Sequence, residues 1–138
     1  MIRFVVIGDP APQGSKRHVG HGVMVESSKR VKPWRQAVAV AAVAARNGAP
    51  ALDCPVDVAI TFWLPRPASL TRKRLALGPC RKPDIDKLLR STFDALSDAG
   101  VWTDDARVVS CTAAKRYTVI TGHAGAEITI RQTVEATP

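Results

Sequence analysis

The chain has 138 residues, 46% of them hydrophobic and 23% charged, a balance that excludes a disordered chain. At this length a core forms without help from a disulfide or a structural metal. Twenty Lys and Arg against twelve Asp and Glu leave a net charge of +8, which points to a polyanionic partner.

The longest apolar run, about Ala37 to Ala45, falls far short of the roughly 20 residues that span a bilayer. No membrane association is expected. The apolar stretch Phe4 to Ile7 breaks at Gly8-Asp9-Pro10, so no signal peptide is expected either. Cys54, Cys80 and Cys111 are scattered, with no C-x-x-C pair. They predict reduced thiols and a cytoplasmic setting.

Residues 2–7 are short and β-branched and predict a first strand. The Gly- and Pro-rich stretch 8–22 reads as a basic loop carrying Lys16, Arg17, His18 and His21, and residues 22–26 read as a return strand. Ser27 or Ser28 then offers an N-cap, and Pro33 suits the first turn of a helix that runs to Arg46 and stops at Asn47-Gly48. Val56 to Leu64 alternates as a central strand.

Residues 66–82 form a long basic connection, with a short helix begun by Ser69 or Thr71. A second main helix begins near Asp84 to Asp86 and ends before Gly100, with Ile85, Leu88, Leu89, Thr92, Phe93 and Leu96 as its buried stripe. Residues 108–118 and 126–134 complete a final antiparallel pair. The order β-β-α-β-α-β-β predicts a single α+β domain over residues 1–138, with two main helices on a mostly antiparallel or mixed sheet.

Charge is unevenly placed. Residues 1–83 hold fourteen basic and four acidic side chains, whereas residues 84–105 hold two basic and six acidic ones. Half the carboxylates of a basic protein thus fall in 22 residues. They gather in Asp84-Ile85-Asp86 at a helix entrance and in Asp104-Asp105 beyond its end. Crowded like charges raise one another's pKa unless cations offset them. Mg²⁺ takes such hard oxygens and needs only one or two carboxylates beside a substrate phosphate.

A metal site inside a basic protein is a coherent plan for phosphodiester hydrolysis. The competing reading has no metal: the aspartates cap turns, and Asp86, Arg90 and Asp94 form an exposed ladder at i, i+4, i+8. Spacing leaves both open. Under the second reading the chain is a non-catalytic, basic DNA-binding protein.

The run from Lys82-Pro83-Asp84-Ile85-Asp86-Lys87-Leu88 through Asp94-Ala95-Leu96, then Gly100-Val101-Trp102-Thr103-Asp104-Asp105-Ala106-Arg107-Val108, resembles the signature of RusA-type Holliday junction resolvases. That signature places a D-x-D-N-L-x-K motif, a D-A-L and a D-D-x-Q-V motif in this order. The resemblance implies a homodimeric endonuclease, often encoded by phages or prophages. It would use Mg²⁺ or Mn²⁺ to nick four-way DNA junctions in symmetrically placed strands, in recombination and repair. A metal nuclease on other branched DNA is the neighbouring alternative.

The family's metal-binding aspartates fall on Asp84, Asp86 and Asp105. Two positions depart from the family pattern: its Asn is Lys87 here, and its functional lysine is Arg90. Arg keeps the charge but cannot lend a proton near neutral pH, so an electrostatic role is expected.

The DNA contacts expected from the charge map are Lys16, Arg17, Arg72, Lys73, Arg74, Arg81, Lys82 and Lys87. Trp34, Trp63 and Trp102 read as core or interface anchors, with base stacking as the alternative for Trp102.

Overall fold

A computed structural model of the chain describes residues 1–14, 25–119 and 122–133. Strand β2 (Val56–Leu64) fixes the architecture, because Val56, Val58, Ile60, Phe62 and Leu64 alternate strictly and all five are buried. A strand this apolar on one face is best satisfied with neighbours on both edges. It pairs antiparallel with β4 (Gly125–Gln132) and parallel with β3 (Val108–Tyr117), and β4 also pairs antiparallel with β1 (Ile2–Ile7). The sheet order is β1-β4-β2-β3.

The fold is α+β with one mixed sheet, and two helices dominate: α1 (Val25–Arg46) and α3 (Ile85–Asp98). A parallel β2–β3 pair requires a crossover, which the short helix α2 (Arg72–Leu77) and α3 supply. Among the described residues no helix is long and apolar enough to cross a membrane.

Three expectations are corrected. Strands 108–118 and 126–134 do not pair with each other; each takes one edge of β2. β1 is closed by β4 rather than by a return strand at 22–26. Residues 22–24 lie outside the described residues, and Val25 and Glu26 already belong to α1. Finally, Pro33 sits inside α1 instead of in its first turn. Lys29 and Pro33 are both exposed, so the carbonyl that loses its partner to the proline faces water. The register of β1 on β4 depends on Gly125, where an added Cβ would stand 1.9 Å from the Val6 carbonyl oxygen.

The core lies on the helix-bearing face. Val31, Trp34, Val38 and Ala42 of α1 meet Leu88, Ala95 and Leu96 of α3 over the inward side chains of the sheet. Two polar α3 residues are fully buried, and both are satisfied. Ser91 Oγ donates to the Ala11 carbonyl at 2.7 Å, and Thr92 Oγ1 accepts from Trp34 Nε1 at 3.2 Å.

Beyond the helix, Trp102 is 2% exposed and meets Phe93 edge-on at 5.6 Å. Its Nε1 donates to Ser97 Oγ at 2.7 Å. Trp102 is therefore a core anchor, which overturns the base-stacking alternative. Arg46 at the end of α1 closes α3 by donating to the Ala99 carbonyl at 2.9 Å. Gly100 follows with φ +72, a conformation that suits glycine.

Candidate functional site

Helix α3 carries the acidic segment, and its entrance is held from β3. Lys115 Nζ donates to the carbonyls of Arg81 and Pro83, each at 2.9 Å. The chain is thereby fixed in the residues that lead into Asp84. Asp84 occupies the N-cap position with extended backbone, yet its carboxylate makes no capping hydrogen bond among the described residues. It faces Lys87 Nζ at 3.5 Å instead. Asp86 lies in the first turn of the helix and is exposed.

Asp104 behaves in the opposite way. It caps a single 3₁₀ turn, Asp105–Arg107, and its Oδ1 accepts from the Ala106 N–H at 2.9 Å. That bond, with a second one from the Asp105 carboxyl, holds Asp104 below the usual carboxylate range. Asp105 is pushed the other way. Its hydrogen bond with Asp104, a small loss of hydration, and the negative charges of Asp104 and Asp94 raise its proton affinity. The capping explanation is therefore met at Asp104 and unmet at Asp84.

The turn is anchored from the far side by Asp53. Its Oδ1 accepts from Thr103 Oγ1 and from Arg107 Nε, both at 2.9 Å. These bonds, the one from Arg107 first, lower the Asp53 pKa.

The Asp86-Arg90-Asp94 ladder does not form. Asp94 accepts from Gln13 Nε2 at 2.7 Å. The ion pairs among the described residues are Lys87–Asp84, Arg35–Asp98 and Arg107–Asp53. Arg90 is exposed and belongs to none of them.

The acidic residues thus stand at two stations. Asp84 and Asp86 mark the start of α3, while Asp105, exposed on the 3₁₀ turn beside the helix, lies within the field of Asp94, two turns further along. Asp94 lies eight positions past Asp86, a rise of about 12 Å along the helix. Among the described residues no group of three or more His, Cys, Asp or Glu side chains is close enough to enclose a metal ion.

Cations surround this helix. Arg81, Lys82, Lys87 and Arg90 are exposed at or near its entrance. Arg72, Lys73 and Arg74 lie on α2, which Thr71 caps and which has no buried residue. A helix that buries nothing and carries three cations in six residues is built to face outward. Lys16 and Arg17 lie outside the described residues. The segment just before them is clamped to α3, since the Gln13 N–H donates to the Lys87 carbonyl at 3.0 Å.

Gln13, Asp53 and Lys115 are supports that reading the sequence missed. Each acts across at least 32 residues of chain, and no local pattern marks them.

A family model described as endodeoxyribonuclease RusA matches residues 8–131, nearly the whole chain. The chain belongs to the RusA endodeoxyribonuclease family. The match includes the Gln13 clamp, both acidic stations and the sheet apart from β1 and the last residue of β4. Among curated proteins, the uncharacterized protein YqaN of Bacillus subtilis (strain 168) is 29% identical over 126 residues, 84% of this chain and 87% of that protein. RusA membership makes the acidic helix and its basic surroundings the place to look for nuclease chemistry.

Proposed function

We propose that this RusA-family chain resolves Holliday junctions by hydrolysing phosphodiester bonds with a divalent metal ion. It acts as a homodimer on four-way DNA, in recombination and repair within a cytoplasm. The observation that carries this reading is the Asp104–Asp105 pair. In a protein of net charge +8, two carboxylates stand side by side in the chain, and only Asp104 caps the turn. The other is held in an environment that disfavours its negative charge, which a bound cation relieves.

The donor chemistry fits Mg²⁺ or Mn²⁺. Asp84, Asp86 and Asp105 offer hard carboxylate oxygens, and such ions complete their shells with water and substrate phosphate. Asp84 and Asp86 at the helix entrance, with Asp105 from its separate station, are the residues that would hold the metal, although as the chain stands they do not enclose an ion. When bound, the ion activates water and offsets charge that develops on the phosphate oxygens.

The remaining work falls to the chain itself. Arg90, exposed on α3 one turn past Asp86, contributes fixed positive charge near the phosphate and no proton. Arg81, Lys82 and Lys87 at the helix entrance, Arg72, Lys73 and Arg74 on α2, and Lys16 and Arg17 hold the DNA backbone and set its position.

A four-way junction is close to two-fold symmetric, so a C₂ dimer presents one acidic site to each of two opposed strands. The outward face of α1 supports such a dimer, because Val40 and Val43 are 64% and 52% exposed there. Incubation with a synthetic four-way junction, with Mg²⁺ and with EDTA, tests the proposal.

A further inference from the structure

Beside Asp84 lies a cavity of about 590 Å³, inside the 300–1,000 Å³ range of small-ligand sites. It opens where three connections converge: the exit of β1, the loop after β2 and the approach to α3. Those connections place six prolines around it. Proline has a fixed φ and no N–H, so these walls are stiff, apolar and poor in hydrogen-bond donors.

Leu64 and Tyr117, register partners at the ends of β2 and β3, close the sheet side. Tyr117 is half-buried. Lys115 lies on the same face of β3 two residues earlier, and its bonds to the Arg81 and Pro83 carbonyls brace the opposite wall. The charged lining is mostly positive, with Arg30, Arg81, Lys82 and Lys87 against Asp9 and Asp84.

One aromatic ring, rigid apolar walls and several cations beside a carboxylate of the proposed metal site suit a single nucleotide better than a continuous duplex. Base faces stack on aromatic rings without regard to sequence, and the attached phosphate seeks the cations. Pulling a base out of a stack is least costly where pairing or stacking is already broken, as at a branch point. Trp102 is buried in the core, which leaves Tyr117 as the ring lining this cavity.

We propose that the cavity receives one nucleotide unstacked at the branch point, its base against Tyr117 and its phosphate toward Arg81, Lys82 and Lys87. The proposal rests on the junction-nuclease reading and adds to it a site that helps select branched over linear DNA.

The test is a cycle between protein and DNA, read as the single-turnover cleavage rate of a four-way junction in Mg²⁺. Abasic nucleotides are scanned singly through the positions flanking the branch point. Tyr117→Ala is expected to slow cleavage about ten-fold, the scale of one lost base–aromatic stack. Tyr117→Phe should keep the rate. One abasic position should slow the wild type about as much and slow Tyr117→Ala no further, because both changes remove the same contact.

Should Tyr117→Ala fail to fold, Gly14→Phe replaces it. A side chain started at Gly14, which lines the cavity, meets no atom of the described residues within 4 Å. It fills space there, and the same loss of rate is expected. Wild-type rates in these variants, abasic and protein effects that multiply, or no sensitive abasic position would overturn the pocket while leaving the nuclease reading intact. A protein that neither binds nor cuts the junction would overturn both.

Discussion

Asp104 and Asp105 are neighbours in sequence whose carboxyl proton affinities are pushed in opposite directions, down at Asp104 and up at Asp105. Asp104 is held ionised by the Ala106 N–H, while Asp105, facing that fixed charge and the charge of Asp94, holds its proton more tightly. A raised carboxyl favours the folded state while it is protonated. Its contribution is therefore full at low pH and is lost as pH climbs from the ordinary carboxylate range through the raised value. Asp104 has the opposite sign, with its contribution present above the ordinary value and lost as pH falls.

Replacing Asp104 with Asn removes the charge that opposes Asp105. In metal-free protein, a carboxyl NMR titration should show the Asp105 pKa above the usual range in the wild type and lower in Asp104→Asn. The acid limb of cleavage should move to lower pH in the same variant. An Asp105 titration that Asp104→Asn leaves unmoved would show that the pair is not electrostatically linked.

Substituting the proposed ligands separates cutting from binding. Asp84→Asn, Asp86→Asn and Asp105→Asn should each reduce cleavage by about 100-fold or more, the scale of losing a transition-state electrostatic contact. Junction affinity should hold or increase, since negative charge beside the phosphates is removed. Asp104→Asn should be milder, because this residue serves the turn. If all three variants cut at the wild-type rate, the aspartates are structural and the chain is a DNA-binding protein without this chemistry.

Much of this arrangement is legible in the sequence wherever the signal is local. Val56 to Leu64 alternates without a break and is bounded by prolines, so its ends agree with the structure. Thr71 opens α2 as its type suggests, and α3 follows its apolar stripe. Strand pairing is a different problem. Nothing inside β3 or β4 says that β2 lies between them, because register is a choice among distant partners. The two acidic caps make the same point at one residue. Asp84 and Asp104 are the same residue type at the same kind of position, yet only Asp104 bonds its own turn. The Gln13–Asp94 bond, across 81 residues, likewise appears only once the chain is folded.

The basic surface makes its own prediction. Junction affinity should fall steeply and linearly on a plot of log K against log salt, because each neutralised phosphate releases counterions. Replacing Arg72, Lys73 and Arg74 together with Ala should flatten that slope by up to about three units. Because α2 buries no residue, the fold should survive the change, with an unaltered circular dichroism melt as the control. An unchanged slope would assign the contacts to the other basic residues and leave α2 as solvated surface.

Paired nicking requires two acidic sites, and one chain carries one set. Light scattering at micromolar concentration should give twice the 14.8 kDa chain mass. Val40→Glu or Val43→Glu should lower it, since both side chains point out of α1 into solvent in the single chain. A wild-type monomer that still makes paired nicks would contradict the symmetric mechanism. A dimer that tolerates both substitutions would move the interface off α1, with the exposed Val5 and Ile7 of β1 as the next surface to alter.

The most direct measurement is a gel assay on a synthetic four-way junction with mobile homology, beside a linear duplex of matched sequence. With Mg²⁺ present, the protein should cut the junction at symmetrically placed phosphates and leave the duplex intact. EDTA should stop cleavage without releasing the bound junction. Cleavage that persists in EDTA, or equal cutting of junction and duplex, would contradict a metal-dependent, structure-selective endonuclease.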